Sequence, residues 1–328
     1  SFFSLQTWFS VGVRRRPAGI YELIFTPFAV LVGAYVIIAA TLIIISPWTL
    51  SVLFFSGIGA LGFLTTGSFE HSDVEKPSFV DIILALLCVA VGFYFSIHAA
   101  SIVNRIVLLD ELTQLEIIFG SIVFVLTLEI TRRTTGLGLT VIVFIFVAYN
   151  MFGHLLDGVL QHGKIDYLHF LEITVFTTDG IFGLPVRVAA TYAFMFVMFG
   201  TVLHACGGGD FFFNFAAAIS GRSPGGPAKV AVISSGMYGM LSGSPTSDVV
   251  TTGSITIPIM KRLGYRGAHA GAIEVAASTG GSFVPPVLGT AAFLMVDFAG
   301  LEYLQIAIAA IIPAILYYAS IYAQVHFS

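Results

Sequence analysis

Residues 229–261 read KVAVISSGMYGMLSGSPTSDVVTTGSITIPIMK, and the 31 residues between the two lysines decide the fold. A straight helix of that length would run roughly 46 Å, against a hydrocarbon core of about 30 Å. Gly243 and Pro245 stand at its middle, where a continuous helix is least tolerated. Split there, the segment becomes two arms, 230–241 and 248–260, each roughly 18–20 Å long and too short to cross. Both outer ends are basic, so the chain enters from one side, turns, and leaves by the same side. The expected element is a re-entrant helical hairpin with Ser242, Gly243, Ser244, Pro245, Thr246 and Ser247 at its tip. Irregular backbone at such depth is tolerated only where it is buried in protein or lines a polar cavity.

The rest of the chain supplies the membrane setting. Only 10% of its 328 residues are charged, against about 25% in ordinary soluble chains. Hydrophobic residues make up 57%, and mean hydropathy is +0.96. Residues 23–69, 188–209, 275–296 and 303–328 contain no Asp, Glu, Lys or Arg, and uncharged apolar runs of this length read as transmembrane helices. The expected fold is an all-α polytopic membrane protein with about eight transmembrane helices, the hairpin and one broken helix. The crossings are expected at 22–45, 48–63, 79–103, 116–130, 138–155, 188–206, 267–297 (broken) and 302–326. Residues 210–219 are short and aromatic and suit the membrane interface.

Threading the chain with Arg14, Arg15 and Arg16 in the cytoplasm brings Lys76, Arg132, Arg133, Arg222, Lys229, Lys261, Arg262 and Arg266 to that face. This is the positive-inside pattern; Arg105, Lys164 and Arg187 are its exceptions. A net charge of -4 with no basic domain excludes nucleic acid as a partner. Cys88 and Cys206 form no framework, and no histidine has metal-ligand spacing. Glu129 stands three and four residues before Arg132 and Arg133, a favourable pattern on a helix.

The segment following the hairpin repeats the device. Residues 267–297 carry Ser278-Thr279-Gly280-Gly281-Ser282-Phe283-Val284-Pro285-Pro286 at their centre, which cannot stay one helix. With Arg266 inside and Asp297 outside, this segment crosses as two half-helices. A hairpin tip beside a broken helix places carbonyl ends, which attract cations, near helix N-termini, which attract anions. The expected Na⁺ region is Ser242, Gly243, Ser244, Asp248, Ser278, Thr279, Gly280 and Gly281. The expected substrate contacts are Ser244, Pro245, Thr246 and Ser247. Asp248 reads as the N-cap of the second arm or as a cation ligand. Glu274, an ionisable group within the membrane, reads as functional or as the partner of a basic neighbour. Gly, Ser and Thr occupy 14 of the 23 positions from 234 to 256. Close helix packing explains most of them, but not the turn itself.

These residues carry a resemblance. GGPAKVAVISSGMYGMLSGSPTSDVVTTGSITIPIMKRLGY (225–265) followed by AGAIEVAASTGGSFVPPVLGTAAFLMVDF (270–298) resembles the large membrane subunit of TRAP transporters, the tripartite ATP-independent periplasmic transporters. The similarity is greatest to the TAXI-type branch, in which small and large membrane subunits are fused. It implies a small-subunit-like four-helix domain at 1–135, then the first part of the large-subunit transport domain at 136–328. It also implies an elevator-type member of the ion transporter superfamily, with one of two inverted repeats present and the second half absent from these residues. The implied activity is Na⁺-coupled uptake of a small carboxylate, a dicarboxylate or amino acid, across the bacterial inner membrane. The implied partners are a periplasmic TAXI-type substrate-binding protein and membrane lipid, with no cofactor beyond Na⁺ as coupling ion. Asp248 stands where relatives usually have asparagine, which leaves Na⁺ stoichiometry and proton coupling open. An ion or solute channel would share the hairpin, and a membrane-embedded enzyme would need a polar catalytic set at one depth. The sequence shows no such set, so the expected protein is a transporter and not an enzyme.

Overall fold

A computed structural model describes residues 12–15, 18–41, 45–69, 71–221, 223, 225–243 and 245–327. Among them, seven helices are long and apolar enough to cross a membrane. The one extended pairing is an isolated bridge between Arg14 and Thr66. The protein is a multi-pass, all-α membrane protein. Its chain divides into two compact units, Ser1–Ala190 and Thr191–Ser328.

The first unit contains α1 (Ile20–Thr41), α2 (Pro47–Thr65), α3 (Phe79–Ile97), the short α4 (Ala99–Val103), α5 (Gln114–Thr135), α6 (Leu137–Phe152), α7 (Tyr167–Val175) and α8 (Leu184–Val188). Local chemistry starts these helices. Ser46 caps α2, with Pro47 at its first position. Ser78 with Asp81 and Thr113 with Glu116 form capping boxes on α3 and α5, so each side chain answers a backbone N–H of the other residue. The crossing expected at 79–103 is in fact α3 and α4, separated at His98. Small residues let α2 and α3 approach: Ser56 Oγ donates to Cys88 O at 2.7 Å, and Gly59 faces the Cys88 sulfur. An aromatic cluster of Trp48, Phe95, Phe176 and Phe182 fills the core.

A buried ion network ties the segment before α1 to the helix ends. Asp81, fully buried, accepts from Arg15 at 2.7 Å and from Arg133 at 2.6 Å. Glu129 binds both Arg132 and Arg133, as its spacing predicts. Backbone bonds from Arg15 N to Thr65 O, Gly67 N to Val13 O and Gly12 N to Arg133 O hold the strand-like segment 12–15 in place. Arg105 pairs with Glu116 at 2.8 Å.

The second unit holds α9 (Phe194–Ala205), α10 (Gly208–Ser220), α11 (Gly226–Ser242), α12 (Pro245–Thr251), α13 (Gly253–Arg262), α14 (Gly267–Gly280), α15 (Thr290–Ala299) and α16 (Tyr303–Phe327). A π turn, Ala189–Ala193, precedes α9. The core of this unit is built from Ala228, Ala231, Val232, Met260, Ala270, Ile273, Ala277, Ile321 and Val325, so α11, α13, α14 and α16 share it. Alanine predominates, which lets helix axes come close where no hydrophobic drive separates protein from lipid.

Removing one member of a buried ion network strands the rest. Asp81→Ala is expected to destabilise the purified protein by about 3–5 kcal/mol, measured by thermal or denaturant unfolding in detergent. Asp157→Ala, at an exposed loop carboxylate, is expected to stay within about 0.5 kcal/mol. Equal effects of the two would show that the network contributes nothing.

Candidate functional site

The first arm of the hairpin, α11, ends at Gly243, whose φ of +58° suits glycine and whose N–H bonds to Gly239 O at 3.0 Å. A Cβ there would lie 2.4 Å from Leu288 O, so the tip also needs glycine for its close approach to the chain after α14. The second arm starts at Pro245, three residues earlier than expected, because proline's fixed φ suits a first helical position. It is also interrupted, giving α12 and α13 in place of one arm. Thr252 lies at the interruption, and Pro258 inside α13 removes a backbone donor. Ser244 and the side chain of Ser247 lie outside the described residues; Pro245 is half-buried and Thr246 exposed.

The early start of α12 corrects the reading of Asp248 as an N-cap: it stands in the first turn, already helical. Its Oδ1 accepts from Ser242 Oγ across the tip. Its Oδ2 has no hydrogen-bond partner among the described residues, although the side chain is fully buried. That oxygen lies against a glycine seam. A Cβ on Gly239 would meet Gly281 Cα at 2.5 Å and Asp248 Oδ2 at 3.1 Å, and one on Gly281 would meet Gly239 Cα at 2.6 Å. The first arm and the broken helix therefore touch backbone to backbone.

Glu274, also fully buried, has no basic neighbour among its partners and sits in a cage of hydroxyls. Oε1 accepts from Ser235 at 2.6 Å, Thr252 at 2.5 Å and Ser278 at 3.3 Å, and Oε2 accepts from Thr256 at 2.5 Å. These donors come from the first arm (Ser235), the interruption of the second arm (Thr252), α13 (Thr256) and α14 itself (Ser278). Gly253 makes room for the acid, since a Cβ there would lie 3.1 Å from Glu274 Cγ. Of the residues expected around an ion, Ser278 turns to Glu274, whereas Thr279 is exposed and donates back to Val275 O. Gly280 and Gly281 are buried at the break.

The break is braced from α16. Tyr317 Oη donates to Ala276 O at 2.8 Å and Tyr318 Oη to Ala277 O at 2.6 Å, carbonyls in the last turn of α14. Tyr303 donates to Val287 O at 2.6 Å, and Val287 N donates to Met240 O at 3.3 Å, tying the break to the first arm. Sequence reasoning did not identify Ser235, Thr252, Thr256, Tyr317 or Tyr318. The spacing of Thr252 and Thr256, one helical turn apart, was the available signal.

Neither 230–260 nor 267–298 contains Lys or Arg. Among the described residues there is no group of three or more His, Cys, Asp or Glu that could hold a metal. The donor set is hydroxyl, carbonyl and carboxylate oxygen. That chemistry fits a hard cation such as Na⁺ better than a soft one; the unpartnered Asp248 oxygen is the group that such an ion would satisfy.

Residues 122–328 match the family described as tripartite ATP-independent periplasmic transporter, DctM component. The chain is 30% identical over 156 residues to the C4-dicarboxylate TRAP transporter large permease protein DctM of Pseudomonas aeruginosa, covering 44% of this chain and 35% of that one. It is 27% identical over 177 residues to the isethionate TRAP transporter permease protein DctMQ of Oleidesulfovibrio alaskensis, covering 54% of this chain and 24% of the relative. It is 32% identical over 91 residues, 28% of this chain, to the uncharacterized protein YgiK of Salmonella typhimurium. The matches span 21–35% of the length of these relatives.

The seam offers a direct test. Gly239→Ala is expected to force the first arm from the broken helix and to destabilise the protein by about 1–3 kcal/mol. Gly271, in the same broken helix with nothing within 4 Å of a Cβ, should be neutral or gain up to about 1 kcal/mol as alanine. Unfolding midpoints in detergent read both; a Gly239→Ala protein as stable as Gly271→Ala would remove the seam.

Proposed function

We propose that this chain, which belongs to the family of DctM components of tripartite ATP-independent periplasmic transporters, carries the first ion and substrate elements of a Na⁺-coupled importer of a small carboxylate. The observation that carries the reading is Asp248. A fully buried carboxylate oxygen without a partner lies where the hairpin tip crosses the broken helix. A buried charge must be answered, and the groups nearby are hydroxyls and carbonyls. Ser242, Gly243, Asp248, Gly280 and Gly281 are the residues we place around the ion, with Ser244, Ser278 and Thr279 completing the region. Ser278 acts there through Glu274, and Thr279 through its backbone. The substrate carboxylate is assigned to the start of α12, at Ser244, Pro245, Thr246 and Ser247, because the N-terminal end of a helix attracts an anion.

In this reading the protein is a secondary transporter of the inner membrane, with its N-terminus and both hairpin ends cytoplasmic. It works with a periplasmic substrate-binding protein of the TAXI type. Residues 1–135 play the small-subunit part and 136–328 begin the transport domain, one of two inverted repeats that move as an elevator. The family match over residues 122–328 supports a large-subunit part in that stretch. The relatives named for C4-dicarboxylate and isethionate support a small organic anion as cargo.

Two measurements test this. Cysteines replacing the exposed Arg14, Lys261 and Leu263 are expected to react with an impermeant thiol reagent only from the cytoplasmic side; labelling of 261 from outside would end the re-entrant topology. In proteoliposomes with the full-length protein and its binding protein, small carboxylates are expected to compete for Na⁺-driven uptake. There Asp248→Asn should raise the half-saturating Na⁺ concentration about tenfold, equivalent to about 1.4 kcal/mol. An unchanged value would leave Asp248 as a brace for Ser242 alone.

A further inference from the structure

Beside the second arm lies a cavity of about 330 Å³, lined by Gly207, Asp210 and Phe213 on one side and by Ser234, Thr251, Thr252, Ser254 and Thr256 on the other. The volume holds on the order of ten waters, enough for a monovalent ion with most of its hydration shell. Gly207, with φ +84°, turns the chain into α10 and puts the exposed Asp210 in that helix's first turn. There its carboxylate offsets the positive end of the helix. Among the described residues that line it there is no Lys, Arg or His.

The hydroxyls are oriented in a way that matters more than their number. Ser234 donates to Ala231 O, Ser254 to Thr251 O, Thr252 to Asp248 O or Glu274, and Thr256 to Thr252 O or Glu274. Each hydroxyl has one hydrogen, and these are directed to carbonyls or the buried acid. What remains for the cavity is lone pairs. An anion needs donors and finds none on these four side chains; a cation needs oxygen lone pairs and finds them on all four, set among the apolar Phe213, Val250 and Ile255.

Behind that wall stands a second negative group. Thr252 and Thr256, which line the cavity, are the residues that reach Glu274 Oε1 and Oε2 at 2.5 Å. One hydroxyl layer thus separates the cavity from a fully buried carboxylate. Asp210 in front offsets the positive helix end and Glu274 behind adds a second acid, so the balance of the field favours cations over anions. We propose that this cavity is the antechamber of the coupling cation, with Asp210 as its electrostatic guide and the acceptor faces of Ser234, Ser254, Thr252 and Thr256 as its lining. The inference rests on the cation-coupled reading above and adds a consequence: cation and substrate carboxylate approach the hairpin by different routes.

The test uses the full-length protein with Cys88 and Cys206 replaced by alanine and serine and a single cysteine at the exposed position 254. Its reaction rates with a cationic and an anionic methanethiosulfonate of similar size are compared, each normalised to a free thiol. The cationic reagent should react at least about tenfold faster; Na⁺ should slow it, and Asp210→Asn should abolish most of the preference. In uptake assays Asp210→Asn should raise the half-saturating Na⁺ concentration severalfold while leaving the maximal rate unchanged, a split that general damage to the fold would not give. Equal reagent rates in a protein whose uptake is Na⁺-driven overturn the antechamber alone. Uptake indifferent to Na⁺ overturns the coupled reading and the antechamber with it.

Discussion

A carboxylate placed inside a membrane protein has to be answered entirely by the protein, and Glu274 is answered by four hydroxyls from separate stretches of chain. The constraint is stricter than apolar packing. Alanines of the shared core can slide by a fraction of an ångström at small cost, whereas an acid stripped of its donors costs several kcal/mol. Ser235, Thr252, Thr256 and Ser278 thus set how the two arms and the broken helix stand against each other. The glycine seam and the tyrosine braces join the same elements. Gly253 fits the same logic, since its missing side chain leaves the space that the Glu274 side chain occupies.

The first unit reaches the same end with a different currency. Asp81 is held by two guanidinium groups and Glu129 by two adjacent arginines. Full charges at both ends of each bond make this network strong only while complete. In the hairpin, hydroxyl donors of uncharged side chains give a milder interaction.

Much of this was legible in the sequence, for reasons that can be named. The hairpin could be placed because two lysines bracket 31 residues with Gly243 and Pro245 between them, a length and punctuation with few physical solutions. The broken helix was legible from Gly280-Gly281 and Pro285-Pro286. The finer boundaries were not: Pro245 starts α12 three residues early, which turns Asp248 from a cap into a first-turn residue bonded to Ser242. The environment of Glu274 was also hidden. Its partners lie 18, 22 and 39 residues away as well as one turn along its own helix, and no local pattern announces contacts of that range. A basic neighbour was one of the two readings of Glu274, because charges in membranes are usually paired with charges; four hydroxyl donors do that work here.

The seam between Gly239 and Gly281 has a consequence for heredity. When a large residue intrudes on a core, a second mutation that shrinks its neighbour can often restore the fit. At this crossing both neighbours already lack a side chain, so no smaller residue exists at either position. Suppressors of a substitution there must arise elsewhere, in residues that set the separation of the two helices, such as the tyrosines of α16 or the alanines of the shared core. The seam is a place where the protein can change only by moving whole helices, and lineages that carry a side chain at one glycine should show correlated changes along α16.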